Sequence, residues 1–350
     1  MPHRKHKHLL LLRFSAMGDV AITVPVVRAL VQQHPNVKVT VASRAEYMPF
    51  FDGIPNVNFY EANFKKAHKG FFGLLKLYRA LRHLHIYAVA DLHNVMRSKV
   101  ITFLFSIRGK KTATTNKMRS ERAALTALKD KQINPLPQVT QLHADVLAQL
   151  GFPIDLSKVV FPEPFTLPED VTRTTGTKEG NWIGIAPFAQ HSGKVYPKDL
   201  IQQVINTLAD NPENKLFLFG GGRHEARILK EYAGNRPNIV VLAGGVLILK
   251  QELKVISNLN VMLSMDSANA HMAAMLGIKA ITLWGATHPY AGFAPFNQPA
   301  DFALTANRDQ YPMLPTSIYG NKKVEGYEDA MRTISPESVV AKINEVLELE

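Results

Sequence analysis

The sequence predicts an α/β fold made of two Rossmann-like, doubly wound domains facing a central cleft. Three observations carry that expectation. Short apolar runs alternate with amphipathic stretches along the chain, the pattern of parallel strands joined by helical crossovers. Residues 152–180, rich in Pro, Thr and Glu with little periodicity, interrupt the alternation and read as a linker. A chain of 350 residues, 46% of them hydrophobic, is long enough for two cores. The expected division is 1–165, then 166–334, then a terminal segment 335–350.

In order, the first strand is His8–Phe14, whose Leu9–Leu12 core is too short for a secretory signal or a membrane span, which needs roughly 20 apolar residues. A short loop, Ser15–Gly18, leads to a helix over Asp19–Gln33, with Pro25 placed in its first turns. Strands follow at Val37–Ala42 and Val57–Tyr60, a helix at Phe71–Leu84, a strand at Ile86–Asp91 and a helix at Met96–Ser106. Residues 107–122 read as a basic loop, with helices at 119–130 and 138–150. In the second half, strands are expected at 182–187, 215–219, 238–242, 260–264 and 279–284. Helices are expected at 197–209, 224–233, 249–257 and 267–276. Residues 286–333 read as long loops. The last helix reaches about residue 348, with Ser335 as cap and Pro336 at its first position.

Composition narrows the chemistry. There is no cysteine, which removes disulfides, thiol nucleophiles and Cys-ligated zinc and favours a reducing compartment. The net charge of +12 is uneven. Residues 1–165 hold 24 Lys and Arg against 10 Asp and Glu; the rest hold 17 against 19. A basic half joined to a neutral one suggests an anionic partner: nucleic acid, anionic lipid or a phosphorylated glycan. The tail Met1–His8 holds His3, His6 and His8, but it reads as a solvated basic tail rather than a metal site.

The candidate residues sit where α/β proteins bind ligands, just after strands. Asp19 follows the first strand and is either a helix-start carboxylate or a general base. Ser15–Gly18 lacks the G-x-G-x-x-G pattern, so a nicotinamide or flavin dinucleotide is disfavoured. Lys194 lies in the loop after 182–187 and is either a surface cation or a neutraliser of a diphosphate leaving group. Glu225 follows Gly220–Gly222 and is either a helix-start carboxylate or an acceptor of ribose hydroxyl hydrogen bonds. Asp266, Ser267 and Ala268 open the helix of a strand–helix–strand unit whose N-terminus suits a phosphate, with His271 at the same end. In the basic half, Arg97, Lys110, Lys111, Lys117, Arg119 and Arg122 are candidates for an anion-recognising surface, near Asp91–Asn94.

Taken together, the blocks Arg13–Pro25, Gly184–Ala189 with Lys194 and Pro197, Gly221–Glu225, Asp266–Gly277 and Leu283–Pro289 resemble the heptosyltransferases of glycosyltransferase family 9. The resemblance implies a GT-B fold with an acceptor-binding first domain and a donor-binding second one, and a last helix that crosses back to the first. It implies inverting, metal-independent transfer from a nucleotide sugar, ADP-heptose, to the lipopolysaccharide inner core, with no separate cofactor. On matching positions, Asp19 becomes the base; Lys194, Ser267 and Ala268 hold the diphosphate; Glu225 binds ribose; Asp266 and His271 contact the sugar. Ala268 stands where the family usually has Gly. The implied location is cytoplasmic, peripheral on the inner face of the inner membrane. Two other classes stay open: a non-catalytic protein binding anionic surfaces or nucleic acid, although no nucleic-acid motif is present, and a sugar-nucleotide epimerase of the same architecture.

Overall fold

A computed structural model describes residues 7–349. His3 and His6 of the basic tail lie outside the described residues. His8 belongs to the first strand, where its ring nitrogens meet the Leu84 carbonyl and the Thr40 hydroxyl, both at 2.8 Å. The chain divides into two compact units. One runs to Met118 and resumes over Pro137–Val160; the other takes Arg119–Leu136 and everything from Phe161.

In chain order the first unit supplies β1 (Lys7–Leu12), α1 (Met17–Gln33), β2 (Val37–Ser43), β3 (Val57–Glu61), α2 (Gly70–Arg82), β4 (Ala88–Asp91), α3 (Met96–Ser106) and β5 (Lys111–Thr114). The strands are all parallel, in the order β3-β2-β1-β4-β5. Leu9–Leu12 are at most 1% exposed. Burying such a side chain stabilises by about 1.5–3 kcal/mol. A continuous apolar run is what a central parallel strand, covered on both faces, requires. The chain leaves β1 toward β2 and β3, then returns to pair β4 on the other side of β1. That reversal opens a crevice beyond the carboxyl ends of β1 and β4.

Two details of the first unit depart from expectation. Helix α1 begins at Met17 and continues through Pro25, its ninth residue. Every residue from Val20 to Val27 is buried, so packing outweighs the roughly 3 kcal/mol that an interior proline costs. Residues 107–122 are not all loop: β5 forms the sheet edge there. Only Ala113 of its four residues is buried, leaving too little alternation to read.

The next helix, α4 (Arg119–Leu125), ends earlier than expected and belongs to the second unit, while α5 (Val139–Gln149) returns to the first. The second unit then supplies α6 (Glu169–Thr175), β6 (Asn181–Ala186), α7 (Lys198–Ala209), β7 (Asn214–Phe219), α8 (Arg223–Ala233), β8 (Ile239–Leu242), α9 (Leu249–Ile256), β9 (Val261–Met265), α10 (Ala268–Met275), β10 (Lys279–Trp284), β11 (Ala303–Thr305) and α11 (Pro336–Glu348). Its strands are also parallel, in the order β11-β10-β9-β6-β7-β8. Here the reversal falls between β6 and β9. Helix α6 lies inside the expected linker, and β11 inside the expected long loops. Both are short and only partly buried.

The last helix packs within the second unit. Ser335 caps α11 by accepting from the Ser338 amide at 3.1 Å. Its Val339, Ile343 and Val346 are fully buried in the second unit's own core, with Ile201, Val204 and Ile205 of α7. The apolar stripe that could have docked on the first unit is used within the second.

Candidate functional site

At the carboxyl edge of the first sheet, an arginine directly follows β1. Arg13 is 8% exposed. One guanidinium nitrogen donates to the Leu92 carbonyl just past β4, at 2.7 Å. The other pairs with Asp19 at 2.6 Å. Arg13 thus ties the ends of the two strands flanking the reversal to the first turn of α1. The Asp19 carboxylate also accepts from the Ala16 amide at 3.2 Å, closing the turn that delivers it. Its side chain is 31% exposed, so a solute can reach it.

The loop after β4 completes this edge. Buried Asp91 accepts from the amides of His93 at 2.9 Å and Asn94 at 2.8 Å, and burial pushes its carboxyl up. His93 Nδ1 accepts from the Phe14 amide at 3.3 Å. Burial first, then the charges of Arg13 and Lys117, bring His93 down to about 3. Arg97 adds to the same lowering and Asp19 opposes it. Arg13, Arg97 and Lys117 therefore act together at this edge, beside Asp19. His143 of α5 lies behind them, buried and lowered to about 3, chiefly by desolvation.

The expected anion-recognising set does not stay together. Arg97 opens α3 at the carboxyl edge, with its guanidinium 4.9 Å from the Phe64 ring. Lys110 and Lys111 are exposed at the amino end of β5, level with Leu9 through Ala88, so they lie at the opposite edge of the sheet. Arg119 and Arg122 belong to the second unit. Arg122 is buried; its Nε donates to the Ala291 carbonyl at 3.2 Å and its guanidinium lies 4.3 Å from the Phe293 ring. It fastens α4 rather than facing solvent.

In the second unit, three consecutive strands of the sheet, β9, β6 and β7, deliver the remaining candidates from their carboxyl ends. After β6 the chain forms a short turn, Ser192–Lys194, then plugs Tyr196 into the core, where its hydroxyl donates to the Ile334 carbonyl. This anchoring aims Lys194 at the end of β9. Its Nζ lies 2.8 Å from the Asp266 carboxylate and donates to the Asp266 carbonyl at 2.9 Å. Both side chains are largely buried, at 16% and 8% exposure. The wall beside the lysine is Gly320, at φ +77°, where a Cβ would lie 2.5 Å from Lys194 Cγ.

Ser267 caps α10 in position, and its hydroxyl shares a hydrogen bond with Ser264 at 3.0 Å. Ala268 is the first helical residue, and its amide belongs to the helix's unsatisfied first turn. His271 lies on the same helix, 7% exposed. Glu225, in the first turn of α8, folds back to accept from the Gly221 amide, so it shapes the glycine loop after β7. Gly220 and Gly221 leave that carboxylate room: a Cβ on either would come within 3.3 Å of it.

Chemically, the second unit presents a lysine, a helix start and a backbone loop at one sheet edge, a combination suited to a diphosphate. The first presents an accessible carboxylate among cations. Among the described residues, no three His, Asp or Glu side chains gather as metal ligands would. The sequence reading assigned no role to Arg13. Its signal was there: a charged residue directly after the apolar run Leu9–Leu12.

A model of glycosyltransferase family 9 (heptosyltransferase) matches residues 74–317. The chain is 24% identical over 284 residues to lipopolysaccharide heptosyltransferase 3 of Escherichia coli, covering 77% of this chain and 81% of that one. Among solved structures, a glycosyl transferase family 9 protein from Veillonella parvula DSM 2008 superposes with a TM-score of 0.75 at 17% identity, covering 99% and 98% of the two chains. The E. coli heptosyltransferase WaaC with ADP-2-deoxy-2-fluoro heptose superposes with a TM-score of 0.65 at 18% identity, covering 97% and 99%. These likenesses establish a GT-B fold of two Rossmann-like units.

Proposed function

The chain belongs to glycosyltransferase family 9 (heptosyltransferase), and from that premise we propose that it moves a heptose or related sugar from an ADP-sugar to a lipid-linked anionic glycan of the lipopolysaccharide inner core. The observation that carries the donor half is the meeting of Lys194 and Asp266 over the reversal between β6 and β9.

The residues suggest their parts. Lys194 neutralises the diphosphate, aided by the amides at Ser267 and Ala268 and the positive end of the α10 dipole. Asp266 holds Lys194 until the donor arrives; with His271 it contacts the sugar. Glu225 and the glycine loop take the ribose. On the first unit, Asp19 is the general base and Arg97 an acceptor contact, joined by Lys117. The acceptor oxygen attacks the anomeric carbon from the face opposite the nucleotide. A glycosidic C–O bond forms as the C–O bond to the β-phosphate breaks. The proton passes to Asp19, the electron pair leaves with ADP, and the anomeric centre inverts. Arg13 keeps the base carboxylate oriented through their 2.6 Å ion pair. The proposed place of work is the cytoplasmic face of the inner membrane, as a peripheral protein; among the described residues no helix is long and apolar enough to cross a membrane.

The test is calorimetry with ADP, UDP, GDP and a DNA duplex on wild type, Asp19→Asn and Lys194→Ala, alongside transfer assays. ADP is expected to bind selectively. Lys194→Ala should weaken it about 10- to 100-fold, the worth of a charge-assisted contact. Asp19→Asn should keep ADP affinity and lose about 10²- to 10⁴-fold in kcat. Unimpaired transfer by Asp19→Asn would remove the base assignment. Product from donor alone would point to epimerisation, and duplex binding without nucleotide binding to a non-catalytic protein.

A further inference from the structure

The first unit carries an amphiphilic surface that its own fold does not use. Between Glu61 and Asp91 there is no acidic residue, while Lys65, Lys66, Lys69, Lys76, Arg79 and Arg82 fall within that span. The loop preceding α2 exposes Lys65, Lys66 and Lys69, and the helix opens with Phe71 and Phe72 at 62% and 84% exposure. The core face of α2 is elsewhere, in Leu74, Leu77, Tyr78 and Leu81. The two phenylalanine rings meet each other edge to face at 6.1 Å.

The surface is built. His68 is 7% exposed and pins the loop: its Nδ1 accepts from the Asn63 amide at 2.9 Å and its own amide donates to the Asn63 carbonyl at 2.8 Å. The Asn63 side chain accepts from the Lys66 amide at 3.0 Å. Gly73 lets the first turn of α2 lie directly on this loop, since a Cβ there would fall 2.3 Å from the His68 carbonyl carbon. Lysines and phenylalanines are thereby held on one surface. Arg97, over Phe64 of the same loop, brings the start of α3 alongside and with it Met96, 76% exposed.

We propose that this surface, centred on Lys65, Lys66, Lys69, Phe71, Phe72 and Met96, docks the protein on an anionic phospholipid bilayer. Aromatic and thioether side chains enter the boundary between headgroups and acyl chains. Lysines reach back along their stems to the lipid phosphates. The choice of a bilayer rests on the lipid-linked acceptor proposed above, and the charge complementarity is on the surface itself. Because α2 and α3 start at the sheet's carboxyl edge, the docked face is the one that also holds Asp19.

The experiment is co-sedimentation of the full chain with vesicles of phosphatidylglycerol and phosphatidylcholine at 1:1, and of phosphatidylcholine alone. Wild type is compared with Phe71→Ser/Phe72→Ser and with Lys65→Gln/Lys66→Gln/Lys69→Gln. Wild type should partition onto the anionic vesicles in a salt-sensitive way and weakly onto neutral ones. The triple lysine variant should lose about fivefold per charge, roughly a hundredfold in all. The phenylalanine pair should lose at least about tenfold. ADP affinity and melting temperature should be unchanged in both, certifying the fold. Equal partitioning of wild type and variants overturns the proposal. So does a preference for a DNA duplex over anionic vesicles, or wild-type self-association that the phenylalanine pair abolishes. Vesicle binding by a wild type that binds no ADP supports the surface and overturns the sugar-transfer reading; transfer from an ADP-sugar with no vesicle binding does the reverse.

Discussion

His93 and His143 show how the cationic edge shapes its surroundings. Each is held near 3, by burial first and then by Arg13. An unfolded chain titrates its histidines near 6.5. As pH falls below that value the unfolded state takes up protons that the folded state refuses. Stability is therefore complete above about pH 6.5 and declines toward pH 3, with a limiting slope of about 1.4 kcal/mol per pH unit for each histidine. Between pH 6.5 and 5 the two together should remove about 3 kcal/mol. Replacing His143 with Leu should halve that loss, read as the difference in urea unfolding free energy at the two pH values. An unaltered pH dependence in the variant would show that His143 is not held neutral in the native state.

At the scale of elements, α4 is the informative piece. Seven residues are too few to be stable alone, so tertiary contacts must hold it. Leu125 is 1% exposed, and the Lys131 amine just beyond the helix donates to the Leu125 carbonyl at 3.1 Å and the Pro315 carbonyl at 2.6 Å. Arg122 adds the Phe293 contact and the Ala291 hydrogen bond. Arg122→Ala should cost about 1–3 kcal/mol, from the stacked cation and the lost hydrogen bond. Amide exchange should accelerate across 119–136 and little elsewhere. Were Arg122 an acceptor contact instead, the variant would change KM with exchange unaltered.

For the whole molecule, the division into units preserves the charge asymmetry even though its boundary moves. The first unit holds 20 Lys and Arg against 7 Asp and Glu, the second 21 against 22. The chain passes between units three times, at 118/119, 136/137 and 160/161. A fragment of residues 161–350 therefore lacks α4 and the strand of chain whose Leu136 amide donates to the Tyr290 carbonyl at 2.9 Å. It should melt at a lower temperature than the same fragment supplied with a peptide of residues 119–136, as followed by circular dichroism. Identical melts with and without the peptide would show that α4 contributes nothing to the second unit.

The alternation of apolar runs was enough by itself to determine two parallel α/β units, because a strand buried on both faces must be largely apolar, as Leu9–Leu12 and Val261–Leu263 are. The positions of Asp19, Lys194, Glu225 and Asp266 after strands were legible for the same reason: the carboxyl ends of strands are where such folds place ligands. What tertiary structure decided was partnership. No spacing links Lys194 to Asp266, 72 residues apart, or Arg13 to Leu92, 79 apart; the strand order alone makes β6 neighbour β9, and β1 neighbour β4. Arg97 and Lys111 look alike as basic residues in sequence, yet they stand at opposite edges of one sheet. The short elements β5, β11 and α6 were illegible because their few residues are set by neighbours rather than by any periodicity of their own. The destination of α11 was undetermined because an apolar stripe states that a helix must be covered, not by what.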